Sequence, residues 1–381
     1  MLMALFWFLL VCTAYSYFLY PIVLWFLGRG VSVVPVDGAE AQAAVLPKLS
    51  LIVTAYNEEK RIIAKIKNSL LIDYAGELEV IIASDCSDDN TDTLVNSFSE
   101  RGVRLVRADQ RLGKENAQRC AIEQAQGDIL VFSDVATEIP SDALTKLVAH
   151  FIDNTVGAVS SEDRFISRDG SVAGEGAYVK YEMWLRRKES ALAGLVGLSG
   201  SFFAARKGVC EQWDISSPSD FNTALNCANL GLRAVTAPDV LGYYQDIQDP
   251  QKEYQRKVRT VLRGISALAS HSEVLNVSRY GLFAFEVFSH KLMRWLVPWF
   301  LLLLFVVNCA LAGQHWFYNM ALLGQLGFYG LAVAAHTNNT LKDNALVRIV
   351  YFFVQVNVAI ANASIQFLQG KRMTVWQPSA R

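Results

Sequence analysis

The sequence predicts an α/β protein in which a mostly parallel sheet is flanked by helices, with transmembrane helices towards both ends of the chain. Between residues 49 and 150, short apolar runs alternate with helical patterns, and strands that alternate with helices form parallel sheets. Residues 1–28 carry no charged side chain, and further uncharged runs follow residue 294. The 381 residues have a formal net charge of −1, so no overall basic field favours nucleic acid as a partner.

The uncharged runs have the length of membrane helices, because about 20 apolar residues cross a bilayer. Residues 1–28 lack the basic start of a cleaved signal peptide, which favours a retained transmembrane helix. The later runs cover residues 295–313, 316–335 and 346–368, and the last of these is interrupted by Arg348 and by several Gln and Asn residues.

Basic residues beside these runs predict the orientation, since they mark the cytoplasmic side of a membrane. Arg29 follows the first run, and Lys291 and Arg294 precede the second. We therefore expect a multi-pass protein of the inner (cytoplasmic) membrane with a cytoplasmic central domain. If every run crossed, the tail with Lys371 and Arg372 would lie outside, so one of the last two runs is expected to be interfacial or re-entrant.

These patterns divide the chain into a transmembrane helix (1–28), an α/β domain (47–250), amphipathic interfacial helices (251–294) and transmembrane helices (295–370). A helix predicted from residue 251 to 268 interleaves basic and apolar residues, which suits an anionic membrane surface. The six cysteines have no metal-binding spacing, and we interpret them as reduced thiols.

Polar residues follow several predicted strands, where ligands of parallel sheets bind. The strands are predicted at residues 49–54, 78–83, 103–106 and 129–132. Asp134 follows the last of them, and a carboxylate there can hold Mg²⁺ or Mn²⁺, which in turn holds a diphosphate. Alternatively, Asp134 caps the next helix. The motif GxxxxGK[ST] is absent, which excludes a P-loop, and the absence of GxGxxG argues against a dinucleotide-binding Rossmann domain.

Four segments in this order resemble the family 2 glycosyltransferases, membrane enzymes of the GT-A fold. They are Val53–Glu59 (VTAYNEE), Ser84–Thr91 (SDCSDDNT), Gln110–Ala117 (QRLGKENA) and Phe132–Asp134, which stands in place of the family's D-x-D motif. The resemblance implies a GT-A-type sheet and a nucleotide-sugar substrate.

The resemblance also implies roles for single residues in the first half of the chain. Asp85 would accept a hydrogen bond from the uracil N–H, because a carboxylate is an acceptor. Asn57, Glu59 and Lys114 would frame the nucleotide, and Asp134 would hold the metal. Alternatively, Glu59 is only a solvated residue of a first helical turn.

Two positions depart from the family's pattern or have a simpler explanation. Asp89 alternatively caps the helix from Thr91. Ala136 stands where the D-x-D motif has its second carboxylate, so a metal would rest on Asp134, the diphosphate oxygens and either Glu138 or water.

The second half of the chain resembles the acceptor side of the family. The segment 197–204 (GLSGSFFA) is similar to a Gly-rich acceptor platform in which Gly200 lets a sugar approach the backbone, or else it is a turn into a strand. Asp220 stands in the place of the general base, or else caps a helix. Arg256 and Arg259 resemble a motif near the diphosphate and acceptor, although Thr260 replaces the tryptophan of processive synthases.

The resemblance therefore implies inverting transfer of a sugar, expected from a UDP-sugar, to a lipid-linked or growing polysaccharide at the cytoplasmic membrane face, as in exopolysaccharide biosynthesis. A protein partner for export is also expected, because these runs are few for a pore. Two alternatives stay open. One is transfer of a single sugar to polyprenyl phosphate. The other is a non-catalytic, nucleotide-sensing membrane subunit, which Ala136 and Ser219 favour because both replace acidic residues.

Overall fold

The computed structural model describes residues 1–29, 46–166, 177–245 and 250–373. Within these residues the chain forms two compact units. The sheet unit contains Leu24–Ile247 and Ser266–Glu286, and the helical unit contains Met1–Val23, Gln248–Ile265 and Val287–Arg372, as far as they are described.

The sheet unit is built on a seven-stranded sheet. The strands are β1 (Leu49–Ala55), β2 (Leu78–Ser84), β3 (Val103–Arg107), β4 (Ile129–Asp134), β5 (Val156–Ile166), β6 (Phe202–Arg206) and β7 (Arg233–Gln245). Their order in the sheet is β3-β2-β1-β4-β6-β5-β7. Strand β6 runs antiparallel to β4 and β5, and the other paired strands are parallel, which confirms the predicted mostly parallel sheet.

The central strand β1 is buried along its whole length because helices cover both faces of the sheet. Leu51 and Val53 belong to the core on one face, and Ile52 belongs to the core on the other. The register pairs Thr54 with Asp134 and Ala55 with Ser84. The carboxyl ends of β1, β2 and β4 are therefore level, and the polar segments that follow them meet at one edge.

The helices of the sheet unit follow the predicted order with shifted ends. The helix Ala177–Leu192 ends two residues before Gly194, whose φ of +117° is outside the range of an α-helix. The helices of this unit are Ile62–Leu70, Thr91–Asn96, Lys114–Gln124, Ala143–Ala149, Ala177–Leu192, Ser219–Asn229 and Val277–Glu286.

Three helices in the described part of the chain are long and apolar enough to cross a membrane: Leu2–Leu27, Val277–Leu311 and Ala345–Leu368. The first has a π-helical segment at Tyr15–Leu19. Trp316–Thr337 is also a helix, of 22 residues, but it does not reach the same apolarity. All four apolar runs are thus helical.

The basic helix Pro250–Ser270, most of which belongs to the helical unit, has a packed apolar face. Val258 and Leu262 are buried against Ala359 and Ala363 of the last apolar helix. The location of the basic helix at the membrane surface stays a prediction.

Candidate active site

The loops after β1 and β2 are bonded to each other. Asn57 donates its backbone N–H to Ser87 Oγ over 3.2 Å, and its side-chain Oδ1 accepts from the backbone N–H of Asp88 over 2.8 Å. Asn57 and Cys86 have φ values of 52° and 55°, in the left-handed region that asparagine tolerates but that is strained for Cys86. Such strain is typical of functional loops that their surroundings hold in place.

The same two loops are joined a second time through Glu59 and Asp89. Asp89 Oδ2 accepts from the backbone N–H of Glu59 over 3.1 Å, and Asp89 Oδ1 accepts from the N–H of Thr91 over 2.9 Å. Glu59 Oε2 accepts from Asn90. Asp89 therefore bonds the first N–H of the helix at Thr91, but the N-cap of this helix is Asn90, so the predicted capping role of Asp89 is wrong in position. Direct contact of Asn57 or Glu59 with a nucleotide stays a prediction.

Asp85 is completely buried at the end of β2. Its Oδ1 accepts from the backbone N–H of Gly113 over 3.0 Å, and within the described chain no group donates to Oδ2. Burial raises the pKa of Asp85, while the Gly113 N–H and the Arg111 guanidinium lower it. The Arg111 guanidinium lies 3.8 Å from the centre of the Tyr56 ring. The loops thus offer a buried acceptor near a flat stacked pair.

Lys114 pairs with Asp134, although the sequence suggested separate roles for them. Lys114 Nζ lies 2.5 Å from Asp134 Oδ1 and 2.9 Å from the carbonyl oxygen of Gly200. The Lys114 side chain is 10% exposed and that of Asp134 is 26% exposed. The lysine at the start of one helix is thus bonded to the carboxylate at the end of β4.

The donor set around Asp134 fits an ion such as Mg²⁺ or Mn²⁺. Ala136 supplies no ligand, and Glu138 is exposed and pairs through its backbone with Tyr243. The described residues contain no group of three or more His, Cys, Asp or Glu side chains that could hold a metal. One carboxylate suffices for ions that keep several waters and bind substrate phosphates.

Lys65 lies behind this strand end and was missed by the sequence analysis. Its Nζ donates to Ser133 Oγ over 2.8 Å and to the carbonyl oxygen of Thr137 over 2.5 Å. Burial lowers the pKa of Lys65 to about 7, although the nearby carboxylates of Asp134 and Glu138 oppose the change. The one signal in the sequence was a lysine beside the apolar stripe of its helix.

Asp220 lies in the first turn of the helix Ser219–Asn229, whose N-cap is Pro218. The alternative role of Asp220 as the N-cap is therefore wrong. Its backbone carbonyl accepts from the N–H of Leu198 over 3.1 Å. A Cβ atom placed on Gly200 would lie 3.5 Å from Asp220 Oδ2, so this carboxylate faces the Gly200 backbone.

Gly200 therefore joins the two halves of the predicted site. Its carbonyl oxygen binds Lys114, which also pairs with Asp134, and its Cα faces Asp220. The structure thus brings together the predicted metal ligand, a predicted nucleotide residue and the predicted base.

Arg256 and Arg259 belong to the helical unit. Arg256 Nε forms an ion pair with Glu253 Oε2 at 2.8 Å. Burial lowers the pKa of Arg259, and the neighbouring cations Arg263 and Arg256 lower it further. Arg259 therefore lies beside like charges, one of which, Arg256, is already paired with Glu253. Contact of Arg256 and Arg259 with a diphosphate stays a prediction.

Comparisons with known sequences identify the family to which this chain belongs. Residues 50–213 match the model of the family described as Glycosyl transferase family 2. An N-acetylglucosaminyltransferase of Bradyrhizobium elkanii is 34% identical over 128 residues, which cover 32% of this chain and 70% of that protein. The chain therefore belongs to glycosyl transferase family 2, as its motifs suggested.

Other matches differ in extent. An N-acetylglucosaminyltransferase of Rhizobium meliloti (strain 1021) is 24% identical over 335 residues, covering 74% of this chain and 76% of that protein. A third N-acetylglucosaminyltransferase, from Neorhizobium galegae, is 32% identical over 146 residues, which cover 37% of this chain and only 33% of that protein.

The fold matches that of a solved mannosyltransferase from Pyrobaculum calidifontis in complex with GDP-Man and Mn²⁺. The TM-score is 0.74 at 23% sequence identity, covering 98% of this chain and 100% of that chain. This likeness confirms the GT-A-type fold.

Proposed function

We propose that the protein is an inverting glycosyltransferase that transfers a sugar from a UDP-sugar to a lipid-linked or growing saccharide at the cytoplasmic membrane face. The observation that carries this proposal is the position of Gly200. Its carbonyl binds Lys114 on the nucleotide side, and its Cα faces Asp220 on the acceptor side.

The loops after β1 and β2, here called the nucleotide loops, favour binding of a nucleobase that has an N–H on its edge. Asp85 Oδ2 is a buried acceptor, and the Tyr56–Arg111 pair offers a surface for stacking. Uracil has such an N–H. Guanine has one too, and the Pyrobaculum mannosyltransferase was solved with GDP-Man, so GDP-sugars are the competing donors. The names of the rhizobial relatives make UDP-N-acetylglucosamine the first donor to test.

In the proposed reaction Asp220 acts as the general base. It takes the proton of the acceptor hydroxyl as the acceptor oxygen bonds to the anomeric carbon, and the bond from that carbon to the diphosphate breaks on the opposite face. The configuration is thereby inverted. Lys114 is placed to bind the negative charge of the leaving diphosphate. A divalent metal at Asp134, when bound, would neutralise further diphosphate charge.

The domain boundaries and the membrane orientation are part of the proposal. Three apolar helices and the basic residues Arg29, Lys291 and Arg294 support a membrane protein with a cytoplasmic catalytic domain at 47–250. Residues 1–28 and 295–370 would contain the transmembrane helices, and 251–294 the interfacial ones.

A polyprenyl phosphate acceptor that receives one sugar is the second candidate. The arginine cluster of the basic helix favours it, because Arg259 lies beside the cations Arg256 and Arg263. An anionic acceptor would add a second counter-ion to this cluster, in which Arg256 already pairs with Glu253.

The nucleotide site is tested by titrating detergent-solubilised protein with UDP and GDP in a calorimeter. Asp85→Ala should weaken binding of UDP by about tenfold or more, because a hydrogen bond to a buried charged group is lost. Asp239→Ala changes an exposed aspartate that pairs with His150, so this variant should bind UDP like the wild type. Equal UDP affinity in Asp85→Ala would contradict the proposed base site.

A further inference from the structure

The loop of residues 197–201, here called the acceptor loop, is fixed to β5 by a carboxylate that the reaction above does not use. Ser199 Oγ lies 2.7 Å from both carboxylate oxygens of Asp163, and Ser201 Oγ lies 2.5 Å from its Oδ1. Tyr244 of β7 adds a longer contact of 3.5 Å. Two hydroxyls of one short loop thus bind one side chain.

The two serines flank Gly200. While Ser199 and Ser201 bind Asp163, the carbonyl oxygen of Gly200 accepts from Lys114 and its Cα faces Asp220. The orientation of the Gly200 peptide is therefore coupled to the two serine side chains.

Further bonds anchor the rest of the loop. Arg186 donates to the carbonyl oxygen of Gly197 over 2.9 Å, and Ser199 donates its backbone N–H to Ser160 Oγ over 2.7 Å. Asp134 donates its backbone N–H to the carbonyl oxygen of Ser201 over 3.0 Å. The acceptor loop is thus connected to the end of β4 as well as to β5.

We propose that Asp163 is a positioning residue for sugar transfer, which holds Ser199 and Ser201 so that Gly200 stays between Lys114 and Asp220. The inference rests on the proposed function. Asp163 acts through the loop and does not itself contact the reacting atoms.

The surroundings of Asp163 favour this role over simple solvation. Burial raises the pKa of its carboxyl, and the hydroxyls of Ser201 and Ser199 and the Arg186 charge lower it. A partly buried carboxylate is costly unless hydrogen bonds satisfy it, and here the acceptor loop supplies them. The loop and the carboxylate therefore stabilise each other.

The kinetic test is a double-mutant cycle between Asp163→Ala and the paired change Ser199→Ala/Ser201→Ala. Asp163→Ala should lower kcat/KM for the acceptor by about 10- to 100-fold, since small displacements of reacting groups have effects of this size. Its UDP affinity should stay within about twofold, as expected for a change that leaves the nucleotide loops intact.

The cycle distinguishes an effect of Asp163 on sugar transfer through the acceptor loop from a direct effect of Asp163. Adding Asp163→Ala to the serine double variant should cause little further loss, because the same bonds are already removed. Asp163→Asn, which keeps the volume, serves where alanine prevents folding, and Asp239→Asn, an exposed carboxylate paired with His150, is the control. Full additivity in the cycle would overturn the inference.

Hydrogen–deuterium exchange tests the same inference without a sugar donor or an acceptor substrate. Amide exchange in residues 197–201 should be faster in Asp163→Ala than in the wild type and unchanged in Asp239→Asn. Unchanged exchange in Asp163→Ala would overturn the positioning role. If the wild type transferred no sugar, the proposed function would fail, while this measurement would still decide whether Asp163 holds the loop.

Discussion

Two lysines stabilise the end of β4, where Asp134 lies, and each makes different contacts there. Lys114 pairs directly with Asp134, and Lys65 holds the backbone and the serine beside it. The first cation occupies one of the two carboxylate oxygens of Asp134 that a metal could use. The second fixes the strand end from which Asp134 projects.

The Lys114–Asp134 pair predicts that metal binding depends on the nucleotide. Without a diphosphate to attract it, the Lys114 ammonium competes with a divalent ion for Asp134. Lys114→Met should therefore bind Mn²⁺ alone several-fold more tightly than the wild type, and bind UDP more weakly. Electron paramagnetic resonance of free Mn²⁺ measures the first effect, and calorimetry measures the second.

Lys146→Met, which changes an exposed lysine paired with Asp142, is the control for this prediction. It should match the wild type in both titrations. Equal Mn²⁺ affinity of the wild type and Lys114→Met would show that the ion pair does not compete with the metal.

Lys65 predicts a pH dependence of stability. Burial depresses its pKa from 10.5 to about 7, so between these values the unfolded chain holds a proton that the folded protein has released. The free energy of unfolding therefore increases as pH rises from about 7 to about 10. Lys65→Met should reduce this increase, as measured by melting temperatures across the pH range.

Lys67, on the exposed face of the same helix, provides the matched control. Lys67→Met should keep the pH dependence of the wild type. If Lys65→Met kept it as well, the buried amine would not titrate in this range.

Single residues of the site were predictable to different extents. Asp85, Asp134 and Asp220 follow from motifs and from their places after strands or before a helix. The role of Lys65 was not predictable from the sequence, because a lysine beside an apolar stripe usually extends into solvent. The role of Asp163 was not predictable either, because its function depends on serines almost 40 residues away in sequence.

At the scale of elements, the first four strands were predicted to within about two residues, in line with the usual uncertainty of element ends. They are apolar because both faces of the sheet are covered. Strands β5 and β7 were not predicted. The second half of β5 reads Ser-Ser-Glu-Asp-Arg, and β7 contains Pro238 and Gly242, so neither has an apolar pattern. Polar side chains of β5 instead bind the acceptor loop.

Helix packing in the helical unit depends on a close approach at Gly264. A Cβ atom there would lie 2.9 Å from the Trp295 ring, which is closer than normal contact. Gly264→Ala should therefore lower the melting temperature, because the backbone or the ring must shift.

Gly324→Ala is the matched control for this packing prediction. Gly324 also lies within a helix, and a Cβ atom there would meet nothing within 4 Å. This variant should melt at or above the wild-type temperature, since alanine favours helices. Equal melting of both variants would contradict the close packing.

At the scale of the whole molecule, the three candidate membrane helices simplify the orientation. One candidate helix precedes the catalytic domain and two follow it. The two later crossings would return the tail with Lys371 and Arg372 to the side of the catalytic domain, as the distribution of basic residues favours. A green fluorescent protein fused after Arg372 should therefore fluoresce in the cytoplasm. An active alkaline phosphatase fusion at that site would show that Trp316–Thr337 crosses as well.

The most direct test of the central claim is sugar transfer by the detergent-solubilised protein. UDP-N-acetylglucosamine, other UDP-sugars and GDP-mannose are incubated with a membrane lipid extract, with and without Mn²⁺ or Mg²⁺. We expect metal-stimulated transfer from a UDP-sugar. Asp220→Asn should lower it by about 10²- to 10⁴-fold, the usual contribution of a general base, without weakening UDP binding. Transfer that persists in Asp220→Asn, or UDP binding without any transfer in the wild type, would contradict the account.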